Sequence, residues 1–260
     1  MAEKIRLGGM ALPNGVLVHG PRSWACAIRH PDGRLEVAAE YKRFRADDSM
    51  PLLRGPAKLL EALAVLPALR RALPAARLSF ERPAVLAGML ASAVGVRVVR
   101  GSPRLGPTAQ ELLSTVFAFT PAMLALRGSD LAAYHGAEHV SIGTYEHDEP
   151  RAREHERCGS HLVGPILLTS AIGNALATKA PLQLRGPARI AATIGSLAVS
   201  TELFAWMVRN PEHPLARALA KPGHELQHRV GTSDPSAEQL EVAEAALAAC
   251  LELEERGGPG

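Results

Sequence analysis

Four apolar stretches, at 83–96, 112–126, 162–178 and 190–208, constrain this chain most. A membrane-crossing helix needs about 20 largely apolar residues, with a lower limit of about 17. The third and fourth stretches approach that length, and the fourth carries Glu202. The first two are short enough to be helices buried in a core. Two architectures therefore stay open, a membrane bundle and a soluble helical bundle. Glu202 separates their demands. In lipid a carboxylate needs a partner, because an isolated charge there is costly. In a soluble bundle it faces water.

Composition narrows the fold class. Of 260 residues, 47% are apolar but only 4% are aromatic. The apolar mass is mostly Ala, Leu, Val and Ile, which suits helix-on-helix packing better than a β-sandwich. The net charge of +3 is spread along the chain and gives no nucleic-acid footprint. Cys26, Cys158 and Cys250 are odd in number and far apart, which argues against a disulfide framework and fits a reducing compartment. The opening "MAEKIRLGGM" lacks the basic start and apolar run of a signal peptide, so export of this segment is not expected.

Three regions follow. Residues 1–55 read as β-rich. "RSWACAIRH" alternates Trp24, Cys26 and Ile28 onto one face, "PDG" signals a turn, and "RLEVAAEY" returns as a second strand. The Gly-rich lead-in adds another strand or extended segment. Residues 56–233 read as a helical, membrane-embedded region with a His-rich loop. It opens with Leu59, Leu60, Leu63 and Leu66 at helical spacing, and Pro67 kinks or ends that helix. Arg70 and Arg71 make it an amphipathic or interfacial helix rather than a span. Residues 234–260 read as an amphipathic helix and tail. Asp234 can cap it, Pro235 fits its first position, and Leu240, Ala243, Leu247, Cys250 and Leu251 form its stripe.

The chemistry gathers in "AAYHGAEHVSIGTYEHDE" and "HERCGSH". On a helix turning about 100° per residue, His135 and His139 fall about 40° apart on one face. Two imidazoles so placed can bind one Zn²⁺. Glu138 completes H-x-x-E-H, the inverted zinc-peptidase pattern, in which a carboxylate near the metal takes a proton from water. A third ligand must come from elsewhere. His155, Cys158 and His161 are candidates, with Cys158 giving a more structural site and His155 a more catalytic one. Glu146, His147 and Asp148 are further ligands or groups that fix the imidazole tautomers. The plain alternative is a wet loop. A five-residue pattern arises by chance, Gly136 weakens a helix by about 1 kcal/mol relative to Ala, and Cys158 reads equally as a small buried apolar residue. Arg151, Arg153 and Arg157 read as a solvated loop, and so do His213, His224 and His228.

Several ordered segments resemble one family. "GGMALPNGVLVHGPRSWACAIRHPDG", "MPLLRGP", "YHGAEH", "RCGSH" and "DPSAEQLEVAEAAL" are similar to elements of the YqhQ family, bacterial membrane proteins of unknown function regarded as metal-dependent enzymes. The chain departs from the family at Asn14 (usually Glu), His19 (usually Arg), Glu156 (usually Pro) and His161 (usually a small hydroxyl residue). The resemblance implies a protein of the bacterial cytoplasmic membrane. Four spans would put the hairpin, the His-rich loop and the C-terminal helix on one side. The basic residues 97, 100 and 104, and 179, 185 and 189, would then lie on the other, against the positive-inside rule for a cytoplasmic site.

The expectation is thus a mainly α, multi-helix transmembrane bundle with a small N-terminal β-hairpin. It would be a membrane-associated, metal-dependent enzyme, a hydrolase, with Glu138 as base. His135, His139, His155 and Cys158 would hold a divalent metal such as Zn²⁺. Membrane lipid is the expected partner, nucleic acid is not, and the substrate is unknown. The alternative is a non-catalytic scaffold whose polar loop binds a partner or a structural metal.

Overall fold

The computed structural model describes residues 4–47, 49–127 and 130–257, and it is mainly helical with a small antiparallel sheet at its start. Strands β1 (Gly8–Leu12), β2 (Gly15–His19), β3 (Ser23–Arg29) and β4 (Leu35–Tyr41) pair in the order 1-2-3-4. The expected hairpin is β3–β4. Its turn is closed by Gly33, whose φ of 86° suits a residue without Cβ. The Gly-rich lead-in forms two strands rather than one, because Asn14 anchors the turn between them. Its side chain donates to the Ala75 carbonyl at 3.1 Å and accepts from the Arg77 amide at 2.9 Å.

Alternation gives the sheet two buried faces. Leu12, Leu17, Trp24, Cys26 and Ile28 pack on Leu69 and Leu73, near helices α1 (Arg54–Ala64) and α2 (Leu66–Ala72). The opposite face presents Val16, Val18, Ala25 and Ala27 to α5 (Leu131–His147) and α9 (Ala237–Arg256). Each fully buried Val, Leu or Ile contributes about 1.5–3 kcal/mol. Helix α9 starts two residues later than its sequence suggests. The Ser236 hydroxyl accepts from the Gln239 amide at 3.2 Å, and the Gln239 side chain returns to the Ser236 amide at 2.9 Å. This reciprocal cap outcompetes Asp234. The buried stripe of α9 is Val242, Ala243, Ala246, Cys250 and the carboxylate of Glu254, with Leu247 partly buried against the same core. Glu254 is buried because it accepts from the Ser23 amide and hydroxyl, both at 2.7 Å, and from the Arg22 amide at 2.8 Å. Gly20 keeps that approach open, since a Cβ there would meet Glu254 Oε1 at 2.5 Å.

Two long helical hairpins complete the chain, α3 (Pro83–Gly101) with α4 (Pro107–Leu126), and α6 (Val163–Thr178) with α7 (Arg185–Arg209). The first two apolar stretches are not short buried helices. Their helices run through 19 and 20 residues, because the flanking polar residues continue the turns. Three helical segments, Pro83–Gly101, Gly159–Thr178 and Leu182–Arg209, are long and apolar enough to cross a membrane. Their outer faces are bare: Leu90, Val98, Ile190 and Ile194 are 64–70% exposed. Inner contacts use small and hydroxyl residues. Gly95 lies against Phe117, and Thr169 Oγ1 meets the Ser196 and Ser200 hydroxyls at 2.7 and 2.8 Å. Such contacts join apolar helices where no aqueous driving force helps.

Glu202 has its partner. Arg54 Nε donates to its Oε1 at 2.8 Å, Arg54 Nη2 to its Oε2, and the Leu52 amide to Oε1 at 3.1 Å. Gly55 sits so close to Thr201 that a Cβ would overlap its hydroxyl at 2.0 Å. The "LLRGP" segment is therefore a clamp on α7. Beside it, Leu59, Leu60 and Leu63 of α1 are exposed rather than packed, and only Leu66 reaches the core.

Candidate metal centre

Helix α5 lies on the sheet through Tyr134, Ala137 and Ile142, and the next face carries His135, Glu138 and His139. A close backbone contact is the reason this helix carries glycine, a poor helix former, at position 136. A Cβ there would sit 2.1 Å from the Ser233 carbonyl oxygen, so glycine lets α5 touch the 231–235 strand of chain. The Ser233 amide donates to the Ala132 carbonyl across that contact, at 2.9 Å.

The contact fixes the imidazoles. His135 Nδ1 lies 2.8 Å from the Gly231 carbonyl oxygen, and His139 Nδ1 lies 2.6 Å from that of Arg153. A carbonyl only accepts, so each Nδ1 carries the proton and each Nε2 keeps its lone pair. The rings sit 4.3 Å apart, centroid to centroid. Cys158 Sγ is 3.5 Å from His135 Nε2. Ligand atoms of His135, His139 and Cys158 all lie within 4.8 Å of one another, the one such group among the described residues.

Bond lengths of about 2.0–2.3 Å in a tetrahedral site put ligand atoms about 3.4–3.6 Å apart. The Cys158–His135 spacing already matches, and the widest spacing needs a contraction of about 1 Å. The chemistry of the donors fits too. Burial, aided by His135, lowers His139 to about 3, which keeps its imidazole neutral at ordinary pH. Burial raises the Cys158 thiol, with hydrogen bonds from Ser160 opposing. A nearby cation is what would draw its proton off. Two imidazoles, one thiol and carbonyl-anchored back nitrogens fit a borderline-soft divalent ion such as Zn²⁺.

Glu138 stands apart from the ligand group but beside it. Its carboxylate lies over Gly9 of β1, where a Cβ would fall 2.3 Å from Oε1. Among the described residues it makes no hydrogen bond or ion pair. Burial raises it to about 7, with His135 pulling the other way. The opening Gly-Gly has a separate use for each residue: Gly9 clears Glu138, and Gly8 clears the His19 ring on the other face, at 2.7 Å from Nε2.

The remaining sequence candidates divide. His155 lies with its ring centroid 5.5 Å from that of His139, tilted by 34°, but spends both nitrogens: Nδ1 accepts from the Arg157 amide at 3.3 Å, and Nε2 meets Glu146 at 3.1 Å. Glu146 also pairs with Arg157, so Glu146 and Arg157 hold the His155 ring rather than float in solvent. His161 is buried against Gln227, 3.3 Å away. His147 bonds back to the Gly143 carbonyl, and Asp148 pairs with Lys4. His213 caps α8 (Pro214–Leu226), His224 lies on it, and His228 pairs with Glu154 at 3.0 Å.

Sequence reasoning passed over Gln227. It is fully buried, its Oε1 accepts from the His155 amide at 2.9 Å, and its Nε2 donates to the Ser160 hydroxyl at 2.6 Å. It opens a π-helical turn, Gln227–Gly231, whose last carbonyl receives His135. Turns of this kind are rare and concentrate at functional sites. The run "ELQHRVG" carries no local signal of it, because the extra residue is set by what the turn must reach.

Comparison with known proteins places this geometry. Residues 127–253, which hold the whole cluster, match the model of a family described as protein of unknown function (DUF1385). The uncharacterized protein YqhQ of Bacillus subtilis (strain 168) is 33% identical over 129 residues, 46% of this chain and 40% of YqhQ. The chain thus spans less than half of that relative's length. The opening Gly-Gly segment falls outside the matched residues. No solved structure matches.

Proposed function

We propose that this protein is a membrane-embedded, metal-dependent hydrolase of the bacterial cytoplasmic membrane. One observation carries the reading: ligand atoms of His135, His139 and Cys158 lie within 4.8 Å of one another while the Nδ1 of each imidazole meets a main-chain carbonyl. These three side chains would hold the ion. When bound, it supplies Lewis-acid polarisation and activates water for attack. Glu138 supplies the base. Held near 7 by burial, its carboxyl group can accept a proton in one step and return it to a leaving group in the next. The sheet excludes water behind it, and Gly9 lets the carboxylate lie flat on the strand. His155, Glu146 and Arg157 brace the ring next to His139. The exposed flanks of the long helices supply the membrane attachment, and α1 lies in the headgroup region with Leu59, Leu60 and Leu63 towards lipid.

The test is metal analysis of the purified full-length chain, wild type against His135→Ala with His139→Ala. About one equivalent of metal in the wild type and little in the variant is expected, and equal content in both removes the proposal. A second reading has its own support: a thiol ligand is commoner in closed, structural sites. A structural knot predicts that Glu138→Gln leaves cellular function intact while Cys158→Ser destabilises the chain. The hydrolase predicts loss of function from Glu138→Gln with the fold retained.

A further inference from the structure

Between the two helical hairpins lies a cavity of about 810 Å³. It is bounded by α6 along its length, by the middle of α4 and by the end of α3. Its walls are mostly carbon: Val96, Phe119, Leu162, Ile166, Leu167 and Ala171. One end is at Gly159, the residue after Cys158, and the other is at Asn174 and Arg100. Along a helix axis, 159 to 174 spans about 22 Å. That exceeds the depth of one bilayer leaflet, which is about 15 Å of hydrocarbon. The slot is therefore long and mostly apolar, and one end lies at Gly159, next in the chain to the candidate ligand Cys158.

We propose that this slot holds the alkyl chain of a lipid substrate, with the hydrolysable head at His135, His139 and Cys158. The inference rests on the hydrolase reading and names its substrate class. Three observations carry it. The slot ends at Gly159 in the loop that carries Cys158, so a tail lying in it would leave its head group on the side of that loop. Its volume lies within the usual range for ligand pockets of about 300–1,000 Å³, whereas a polar substrate would find few partners on these walls. Three hydroxyls line it, on Ser114, Thr115 and Ser170: that of Ser170 is bonded to Ser196 at 2.9 Å, and Ser114 Oγ is buried with no protein partner among the described residues. The slot also opens between helices whose outer faces are bare and apolar, so in a bilayer a lipid tail can enter sideways without crossing water.

The experiment uses the full chain in phosphatidylcholine vesicles with a palmitic acid probe carrying a diazirine at its last carbon. After photolysis, labelled residues are mapped by mass spectrometry, and metal content is measured on the same samples. The expected result is labelling at the far end of the slot, around Val96 and Asn174, falling at least tenfold in Ala171→Trp and in Ala118→Trp. Metal content should stay at the wild-type level in both variants, which also shows that they fold. Labelling spread evenly over the outer faces of α3 and α7, or unchanged by both tryptophans, would overturn the proposal. Labelling centred on Leu162 and Val163 would place the head at the wrong end and overturn it as well. His135→Ala with His139→Ala separates the two readings. Slot labelling that persists in this variant while its metal content equals wild type removes the hydrolase and leaves a tail-binding slot. Metal bound in the wild type and lost in this variant, with unselective labelling in both, does the reverse.

Discussion

Replacing Gly9 with alanine puts one methyl group between a strand and the proposed base. The new Cβ would lie 2.3 Å from Oε1, 2.4 Å from Cδ and 2.6 Å from Cγ of Glu138. Because three atoms are involved, rotating the carboxyl group is not enough, and the side chain must retreat by about 1 Å. Neither backbone can give way easily. Gly9 pairs with Val18, which is 1% exposed, and α5 rests on the sheet through the fully buried Ala137. Overpacking of this kind costs about 1–3 kcal/mol. The opposing gain, from replacing Gly by Ala in a strand, is about 0.5–1 kcal/mol. In a Glu138→Ala background the obstacle is gone, so Gly9→Ala should become neutral or stabilising. The double-mutant cycle should show at least about 1 kcal/mol of coupling. Urea midpoints followed by the fluorescence of buried Trp24 would measure it. A base displaced by about 1 Å should also lose roughly 100-fold in rate. Equal cost of Gly9→Ala in both backgrounds would refute the contact, and with it the reason offered for the Gly-Gly pair.

Gln227→Leu should strip the His155 amide and the Ser160 hydroxyl of partners at about 1–3 kcal/mol each and lower metal affinity about 10- to 100-fold. Arg54→Ala should destabilise by up to about 1 kcal/mol, because the partly exposed Glu202 carboxylate keeps the Leu52 amide, and Arg54→Lys should not fully restore it, because one ammonium cannot make the two-pronged contact. His19 is held down to about 4 by burial, then by Lys42. Its unfolded form takes a proton first as pH falls below 6.5, so stability should drop by up to about 3 kcal/mol between pH 6.5 and 4 and level off below. Denaturation midpoints of wild type and His19→Gln across that window should diverge towards low pH, with the variant flatter; parallel curves would count against the burial. Glu61 and Glu254 are lowered by hydrogen bonds from Lys42, Ala46, Arg22 and Ser23 despite burial. Their support is complete above about 4.5 and should fade at more acid pH.

What was legible in the sequence had a period or a fixed spacing. Trp24, Cys26 and Ile28 share a face because strands alternate, and His135, Glu138 and His139 share one because helices turn by about 100°. Cys158 was reachable as one of three nearby donors. What was not legible depended on distant chain. Gln227 matters only because residues 155 and 160 come to it, and Gly136 and Gly9 only because Ser233 and Glu138 do. His155 looked as good a donor as Cys158 until Glu146 and Arg157 occupied its nitrogens. The apolar residues of α1 gave the right period but not the direction they face. The C-terminal cap was misplaced because Asp234-Pro235 and Ser236 are both good starts, and the Gln239 reply decides between them.

The Arg54–Glu202 clamp acts as a depth gauge. Glu202 lies 17 positions beyond Arg185, the first residue of α7, or about 26 Å along its axis. In a bilayer with a hydrocarbon core of about 30 Å, that puts the ion pair at one waterline when the far end of α7 rests at the other. In that setting the clamp would hold α1 at the same level, with the exposed Leu59, Leu60 and Leu63 turned to the lipid surface. The histidines would then ride just above the acyl chains, where a molecule anchored by its tail can be reached but one dissolved in the cell need not be.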